Sequence, residues 1–371
     1  MKKNKIVMLG HKTIPSRLGG VEIVVEELAS RLVEMGNEVT CLNRSVDSAS
    51  NVIKGDNYYK GIKIVTIPTI KIKGLSAFSS SFFGSFVAAF GNYDIVHFHA
   101  EGPAFMCWLP KMFNKKIIVT IHGLDHKRKK WGKFASWYIK QGEKNAVKYA
   151  DKIIVLSNSD KQYFINEYNR ETFLINNGVN KPTNCEPDII EKKYGLKKNE
   201  YILYLGRIVP EKNVDLLLDA YNDIKTEKKL VIAGGSSDTS SYYNEIKKKA
   251  LLNRNIIVTG FVEGKELEEL YSNAYAYCLP SNLEGMPLSL LEAMSYGNCC
   301  IISDLEVCKE VIDKYGVVFN RNNKTDLEEK LKYICNNKDF VDYCKSNSSS
   351  YICNKYSWDS MVIKTLELYN S

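Results

Sequence analysis

Residues 276–294 read Ala276-Tyr277-Cys278-Leu279-Pro280-Ser281-Asn282-Leu283-Glu284-Gly285-Met286-Pro287-Leu288-Ser289-Leu290-Leu291-Glu292-Ala293-Met294. Four apolar residues make a buried strand, a polar loop follows to Glu284, and Gly285 to Leu288 lead into a helix. The first turn of such a helix offers backbone N–H groups without intrahelical partners and the positive end of a dipole, which suits a diphosphate. The Glu284 carboxylate, just before it, can accept hydrogen bonds from neutral hydroxyls such as those of a sugar. Glu292, two turns along, can do the same for a ribose. A helix cap and a surface acid would have the same spacing, so the pair alone leaves both readings open.

The strand–loop–helix unit is one of many. Working back from it, apolar runs at Ile256–Thr259, Leu230–Ala233 and Tyr201–Leu205 alternate with helical patterns, and Cys300–Ser303 and Val317–Phe319 follow it. A polar, proline-containing break spans 181–199. Before the break come Ile6–Leu9, Val39–Leu42, Ile62–Ile67, Ile95–His99, Ile117–His122, Ile153–Ser157 and Thr172–Ile175. The helix after the first run shows in Val21, Val24, Val25, Leu28, Leu32 and Met35, and Gly36 stops it. Continuous apolar strands alternating with helices mean parallel sheets covered on both faces. The expected fold is therefore α/β, with two Rossmann-like domains: an N-terminal, acceptor-side domain over 1–180, a linker at 181–199, a C-terminal domain over 200–355 and a closing helix over 356–371. In such sheets ligands sit beyond the carboxyl ends of the strands. Polar, glycine-rich strand ends in both halves point to one cleft between two facing domains.

Composition narrows the class. The chain has 371 residues, of which 44% are apolar and 25% charged, ordinary for a globular protein. Residues 1–180 hold 26 basic and 15 acidic side chains, whereas 181–371 hold 25 and 28. A basic front half suits an anionic partner. The ten cysteines show no C-x-x-C pair and no zinc spacing, so free thiols in the cytoplasm are expected. The apolar run at the N-terminus is too short for a signal peptide, and Leu75 to Asn92, interrupted by five serines, falls short of a membrane span.

The 281–294 segment resembles the E-x7-E signature of the retaining, nucleotide-sugar-dependent family-4 glycosyltransferases, which have the two-domain GT-B fold. Gly206-Arg207-Ile208-Val209-Pro210-Glu211-Lys212-Asn213 looks like that family's donor-phosphate motif, Asn177-Gly178-Val179-Asn180 like the segment closing its first domain, and Tyr356-Ser357-Trp358 like the start of its last helix. The resemblance implies a hexosyltransferase with His122, Glu284, Arg207 and Lys212 as catalytic residues. It implies donor contacts at Gly19, Gly20, Phe261, Val262, Gly285, Met286, Pro287, Leu288 and Glu292. Fixed cations such as Arg207 and Lys212 would stabilise the charge growing on the leaving nucleoside diphosphate. Gly19-Gly20 is not a G-x-G-x-x-G fingerprint, which argues against a nicotinamide cofactor. No D-x-D motif occurs, so no metal and no other cofactor is expected. Phe261 fits core packing as well as a place beside the nucleobase.

On the acceptor side, His99 and the segment Lys127, Arg128, Lys129, Lys130, Trp131 and Lys133 stand out, followed by Trp137-Tyr138 and preceded by the Phe-rich stretch from Ala77 to Phe90. Basic residues interleaved with aromatics suit an anionic membrane surface or a diphosphate-linked lipid. A solvated loop and single-stranded nucleic acid fit the same pattern, but no nucleic-acid motif accompanies it, and no nucleic-acid partner is expected. The reading is a retaining transferase of surface-polysaccharide assembly. It would act on a glycan acceptor, lipid-linked by resemblance, from the inner face of the cytoplasmic membrane. A nucleotide-sugar epimerase and a non-catalytic sugar-nucleotide binder are the alternatives.

Overall fold

The computed structural model describes residues 3–45, 57–70, 72, 75–127, 132–236 and 240–371. The chain divides into two compact units: one is formed by the residues up to Asn177 together with Trp358–Ser371, the other by Gly178–Ser357.

The first unit holds an eight-stranded sheet of β1 (Lys5–Leu9), β2 (Glu38–Arg44), β3 (Tyr58–Tyr59), β4 (Ile62–Ile67), β5 (Ile95–His99), β6 (Lys116–Ile121), β7 (Lys152–Val155) and β8 (Phe173–Leu174). They lie in the order β3-β4-β2-β1-β5-β6-β7-β8, all parallel except β3. Ile6, Val7, Met8, Val96, Phe98, Ile117, Ile118 and Val119 are fully buried. Both faces of the central strands are thus covered, which is why they read as unbroken apolar runs. The helix Gly20–Glu34 buries Val24, Val25, Leu28 and Leu32, the stripe seen in its sequence, and Gly36 beyond its end has a φ of +87°.

The second unit holds six parallel strands, β9 (Tyr201–Leu205), β10 (Lys229–Ala233), β11 (Ile256–Gly260), β12 (Ala276–Leu279), β13 (Cys299–Ser303) and β14 (Gly316–Phe319). Their order is β11-β10-β9-β12-β13-β14, so the direction of winding reverses between β9 and β12. Residues 181–199 lie inside this unit and carry the helix Ile189–Tyr194. Glu269 fixes that helix by accepting from Asp188 N (3.0 Å) and Ile190 N (3.1 Å). The two ends of the unit meet: Val179 N donates to Tyr356 O at 3.0 Å.

The helix Trp358–Asn370 belongs to the first unit, and Tyr369 reaches the sheet centre with its hydroxyl 2.6 Å from His97 Nδ1. Asn4 Nδ2 donates to Asn370 Oδ1 (3.0 Å), Arg31 Nε to Asp359 Oδ1 (3.0 Å) and Lys116 Nζ to Tyr369 O (2.8 Å). All ten cysteines are free thiols, and seven are buried, where they pack as small apolar side chains. No helix among the described residues is long and apolar enough to cross a membrane; Leu75–Phe90 forms a 16-residue helix.

Candidate functional site

In the second unit β9, β10 and β12 are followed by Gly206, Gly234 and Pro280, and β11 ends on Gly260. Gly234 has a φ of +143°, and a Cβ there would fall 1.8 Å from Gly206 O, so the turns after β9 and β10 touch backbone to backbone. Gly206 N bonds Ala233 O (3.0 Å) and Ile208 N bonds Gly235 O (3.0 Å). This frame fixes the start of the loop that carries Arg207 and leads to the 3-10 turn Pro210–Lys212. Tyr204 adds a hydrogen bond from its hydroxyl to Arg207 O at 2.8 Å.

From the neighbouring strand β12 the chain runs to Glu284, and Asn282 N donates to Glu211 O at 2.8 Å, tying the two loops together. Lys212 Nζ and Glu284 Oε1 are 2.5 Å apart, with side chains only 13% and 8% exposed. Charges so placed are screened far less than surface pairs. Directly after Glu284, Gly285, Met286 and Pro287 are buried, and Leu288 opens the helix Leu288–Ser295. Tyr277 pins that helix to the sheet, its hydroxyl lying 2.9 Å from Ser289 Oγ and 3.1 Å from Leu205 O. Glu292 accepts from the Tyr271 hydroxyl at 3.0 Å. Thus Arg207, Lys212, Glu284 and the start of one helix converge at one end of β9 and β12. Phe261, just beyond β11, is 48% exposed and so lies outside the core; Val262 beside it is buried.

The first unit gathers histidines at the matching strand ends. His99 Nδ1 lies 3.1 Å from His122 Nε2, and the His97 and His99 rings are 4.2 Å apart. His97 is held between Tyr369 and Thr120, whose Oγ1 is 2.7 Å from Nε2. Burial pushes His122 down to about 4 and His97 to about 3, and takes His99 well below the usual range. These rings are neutral at pH 7 and act as hydrogen-bonding groups rather than cations. Gly19 caps the helix that begins at Gly20, and Glu22 folds back over it to accept from Lys12 N at 2.9 Å.

Several neighbours escaped the sequence reading as site residues. His11 lies two residues beyond β1, 3.1 Å from Asn43 Oδ1, with its pKa lowered to about 4 by burial. Glu22 contributes a carboxylate whose field acts on both His11 and His122. Glu101, His126 and Glu143 form a separate cluster beside β5 and β6. There burial opposes the charge on His126, yet Glu101 and Glu143 hold it up at about 9; burial of Glu101 raises its carboxyl to about 8. Gly10-His11 was visible as a strand end, but nothing local in the sequence marks the Glu101 cluster.

Of the basic segment, Arg128, Lys129, Lys130 and Trp131 lie outside the described residues; Lys127 ends the turn Asp125–Lys127, and Lys133 opens the helix Lys133–Tyr149. Nearby aromatics are exposed to an unusual degree. Phe78, Phe83, Phe86 and Phe90 on the helix Leu75–Phe90 are each more than a third exposed, as are Met112, Phe113, Phe134 and Trp137. The Phe90 and Phe113 rings are 4.7 Å apart, and those of Phe134 and Trp137 5.8 Å, so the aromatics come as paired rings. Exposed aromatics grouped in this way are a common feature of interaction surfaces.

Comparison with known proteins gives the arrangement a context. Residues 18–181 match the model described as Glycosyltransferase Family 4, and residues 187–351 that described as Glycosyl transferases group 1. An uncharacterized glycosyltransferase of Methanocaldococcus jannaschii, MJ1178, is 26% identical over 95% of this chain and 94% of its own length. The UDP-Gal:alpha-D-GlcNAc-diphosphoundecaprenol alpha-1,3-galactosyltransferase of Escherichia coli is 25% identical over 75% of each chain. Among solved structures, sucrose-phosphate synthase from Thermosynechococcus elongatus superposes with a TM-score of 0.84 at 18% identity, over 100% of this chain and 98% of that one.

Proposed function

The chain belongs to the family-4 glycosyltransferases of GT-B fold, enzymes that use nucleotide sugars, and from that premise we propose that it transfers a hexose or deoxyhexose, with retention, to a hydroxyl of a lipid-linked glycan. The observation that carries the donor half is the convergence of Arg207, Lys212 and Glu284 beside the helix Leu288–Ser295. In this reading Arg207, Lys212 and the helix start receive the diphosphate, so its neutralisation needs no metal and no cofactor. Glu284 accepts hydrogen bonds from the sugar hydroxyls and Glu292 from the ribose, while Gly285 to Leu288 bring the backbone close. Phe261 and Val262 border the nucleobase. Gly19, Gly20 and His122 are the first unit's own candidates for donor contacts, with His122 serving as a neutral donor or acceptor.

The attacking hydroxyl approaches on the face from which the diphosphate departs. Its proton passes to a phosphate oxygen as the anomeric C–O bond breaks and the new one forms. Catalysis is then positioning and stabilisation of the leaving charge. For the acceptor, the exposed aromatics of the first unit and the basic residues from Lys127 to Lys133 support a peripheral seat on an anionic membrane, where a polyprenyl-diphosphate glycan would be presented. The galactosyltransferase relative, named for a diphosphoundecaprenol-linked substrate, supports this reading.

The deciding experiment incubates the protein with UDP-, GDP- and dTDP-sugars and polyprenyl-diphosphate-linked acceptors, and reads the anomeric configuration of the product by NMR. A product with the configuration of the donor is expected. An inverted product overturns the retaining mechanism, and a new sugar nucleotide formed from donor alone overturns the transferase in favour of an epimerase.

A further inference from the structure

We propose that Glu101, His126 and Glu143 form a binding site for a divalent cation of the zinc class, set in the first unit at the root of the basic segment. The three residues come from three elements: the helix Glu101–Ala104, the turn Asp125–Lys127 and the helix Lys133–Tyr149. One ligand atom from each lies within 4.8 Å of the other two. His126 Nδ1 is 3.4 Å from Glu101 Oε1 and 3.1 Å from Glu143 Oε2. A tetrahedral ion with bonds of about 2.0–2.1 Å separates its ligands by about 3.3 Å, so these spacings need little adjustment.

The carboxylates themselves suit a cation. Both side chains have no exposed surface, yet Glu101 Oε2 lacks any hydrogen-bond donor and Glu143 Oε2 faces only His126 Nδ1. A buried carboxylate oxygen without a donor is costly. The other oxygen of Glu143 is fully engaged, accepting from Lys140 Nζ (2.9 Å), the Tyr163 hydroxyl (2.9 Å) and the Tyr168 hydroxyl. Such bonds orient a carboxylate for a metal on its free side, as outer-shell partners do in known sites. Gly142 stiffens the frame: a Cβ there would lie 2.0 Å from Glu101 O, so the two carboxylate-bearing helices meet at backbone distance. His126, at 15% exposure, gives an ion a way in and leaves room for water as a further ligand. One imidazole and two carboxylates suit zinc, with manganese next. A bound ion would join the three elements and fix the turn from which Lys127 to Lys133 depart. The proposal does not depend on the assignment of the donor residues.

The test uses the full chain, stripped with a chelator and with accessible thiols blocked, titrated with Zn2+ by calorimetry and with Co2+ by visible absorption. One equivalent should bind, raise the melting temperature and give a cobalt spectrum without a thiolate charge-transfer band. His126→Ala should lose at least about tenfold in affinity with unchanged circular dichroism; should it fail to fold, His126→Gln replaces it. No stoichiometric binding in the wild type, a thiolate band, or equal affinity in the variant would each overturn the proposal.

Discussion

Lys212 and Glu284 stand 72 positions apart in the chain and 2.5 Å apart in space, closing the gap between the loops after β9 and β12. Among the described residues neither charge has another ion-pair partner, so each exposes the other when it is removed. Glu284→Gln should keep the fold and lose roughly ten- to a hundredfold in turnover, corresponding to about 1.5–3 kcal/mol for a charged hydrogen bond. Lys212→Met/Glu284→Gln should melt closer to wild type than either single variant, because no uncompensated charge remains. Its activity should stay low. Wild-type kcat/KM in Glu284→Gln would remove that carboxylate from the reaction.

Arg207 follows Gly206 at the end of β9. Arg207→Ala should weaken binding of a nucleoside diphosphate by about tenfold or more while sparing the nucleoside, as expected for a charge-assisted contact. Calorimetry with both ligands separates the outcomes; equal losses would place the guanidinium away from the phosphates.

Gly234→Ala adds a methyl group 1.8 Å from Gly206 O at a φ of +143°. The backbone of two adjacent turns has to part. A loss of at least about 2 kcal/mol is expected in urea unfolding, the scale of backbone strain at such positions. Donor affinity should fall with it, because the displaced turn carries Arg207. Unchanged stability would show that the turns can separate freely.

The buried histidines give the first unit an acid limit. His97 and His122 are neutral in the fold down to about 3 and 4, but protonate near 6.5 when unfolded. Between those values the unfolded chain binds protons that the folded chain refuses, so stability falls as pH drops below 6.5 and levels off below about 3. Each histidine contributes a slope of up to about 1.4 kcal/mol per pH unit. His97→Asn should be less stable at pH 7, having lost contact with Tyr369 and Thr120, yet show a shallower decline towards pH 4. Denaturant unfolding across that range checks it; parallel profiles would contradict the assignment.

The aromatic face predicts vesicle binding. Phe90→Ser with Trp137→Ser should reduce sedimentation with phosphatidylglycerol vesicles, and neutralising Lys127, Arg128, Lys129, Lys130 and Lys133 should reduce it further, at about 1 kcal/mol per charge near the surface. The charge-dependent part should fade with salt. Turnover on a short, water-soluble acceptor should be little changed. Undiminished vesicle binding in both variants would leave the face without this role.

Much of this was legible in the sequence because strands buried on both faces leave a plain mark. β4, β5, β9 and β12 are apolar runs with boundaries that coincide with Ile62–Ile67, Ile95–His99, Tyr201–Leu205 and Ala276–Leu279. The two-residue β3 has no such run and left no signal. Arg207, Lys212 and Glu284 could be found because each lies a few residues beyond a strand, so sequence position and spatial position coincide. His99 and His122 share that logic. Glu101, His126 and Glu143 do not: they meet through the packing of two helices and a turn, and their separations of 25 and 17 residues follow no structural period. The exposed half of Phe261 was equally hidden, since one aromatic after a strand reads the same whether it turns inward or out.

The placement of Trp358–Asn370 in the first unit has a consequence for how the protein is made. A ribosome releases residues up to Asn177 long before it reaches Tyr369, the residue that abuts His97 at the sheet centre. At about 5–20 residues per second, the delay is roughly 10–40 s. Throughout that interval the nascent first unit lacks the helix Trp358–Asn370, while the second unit, contiguous from Gly178 to Ser357, is being made and needs nothing beyond Ser357. The earlier half of the chain therefore cannot complete its fold until the last residues are made. A premature stop near codon 357 would spare the second unit and leave the first without its closing helix, a difference that pulse-labelled synthesis with limited proteolysis would reveal.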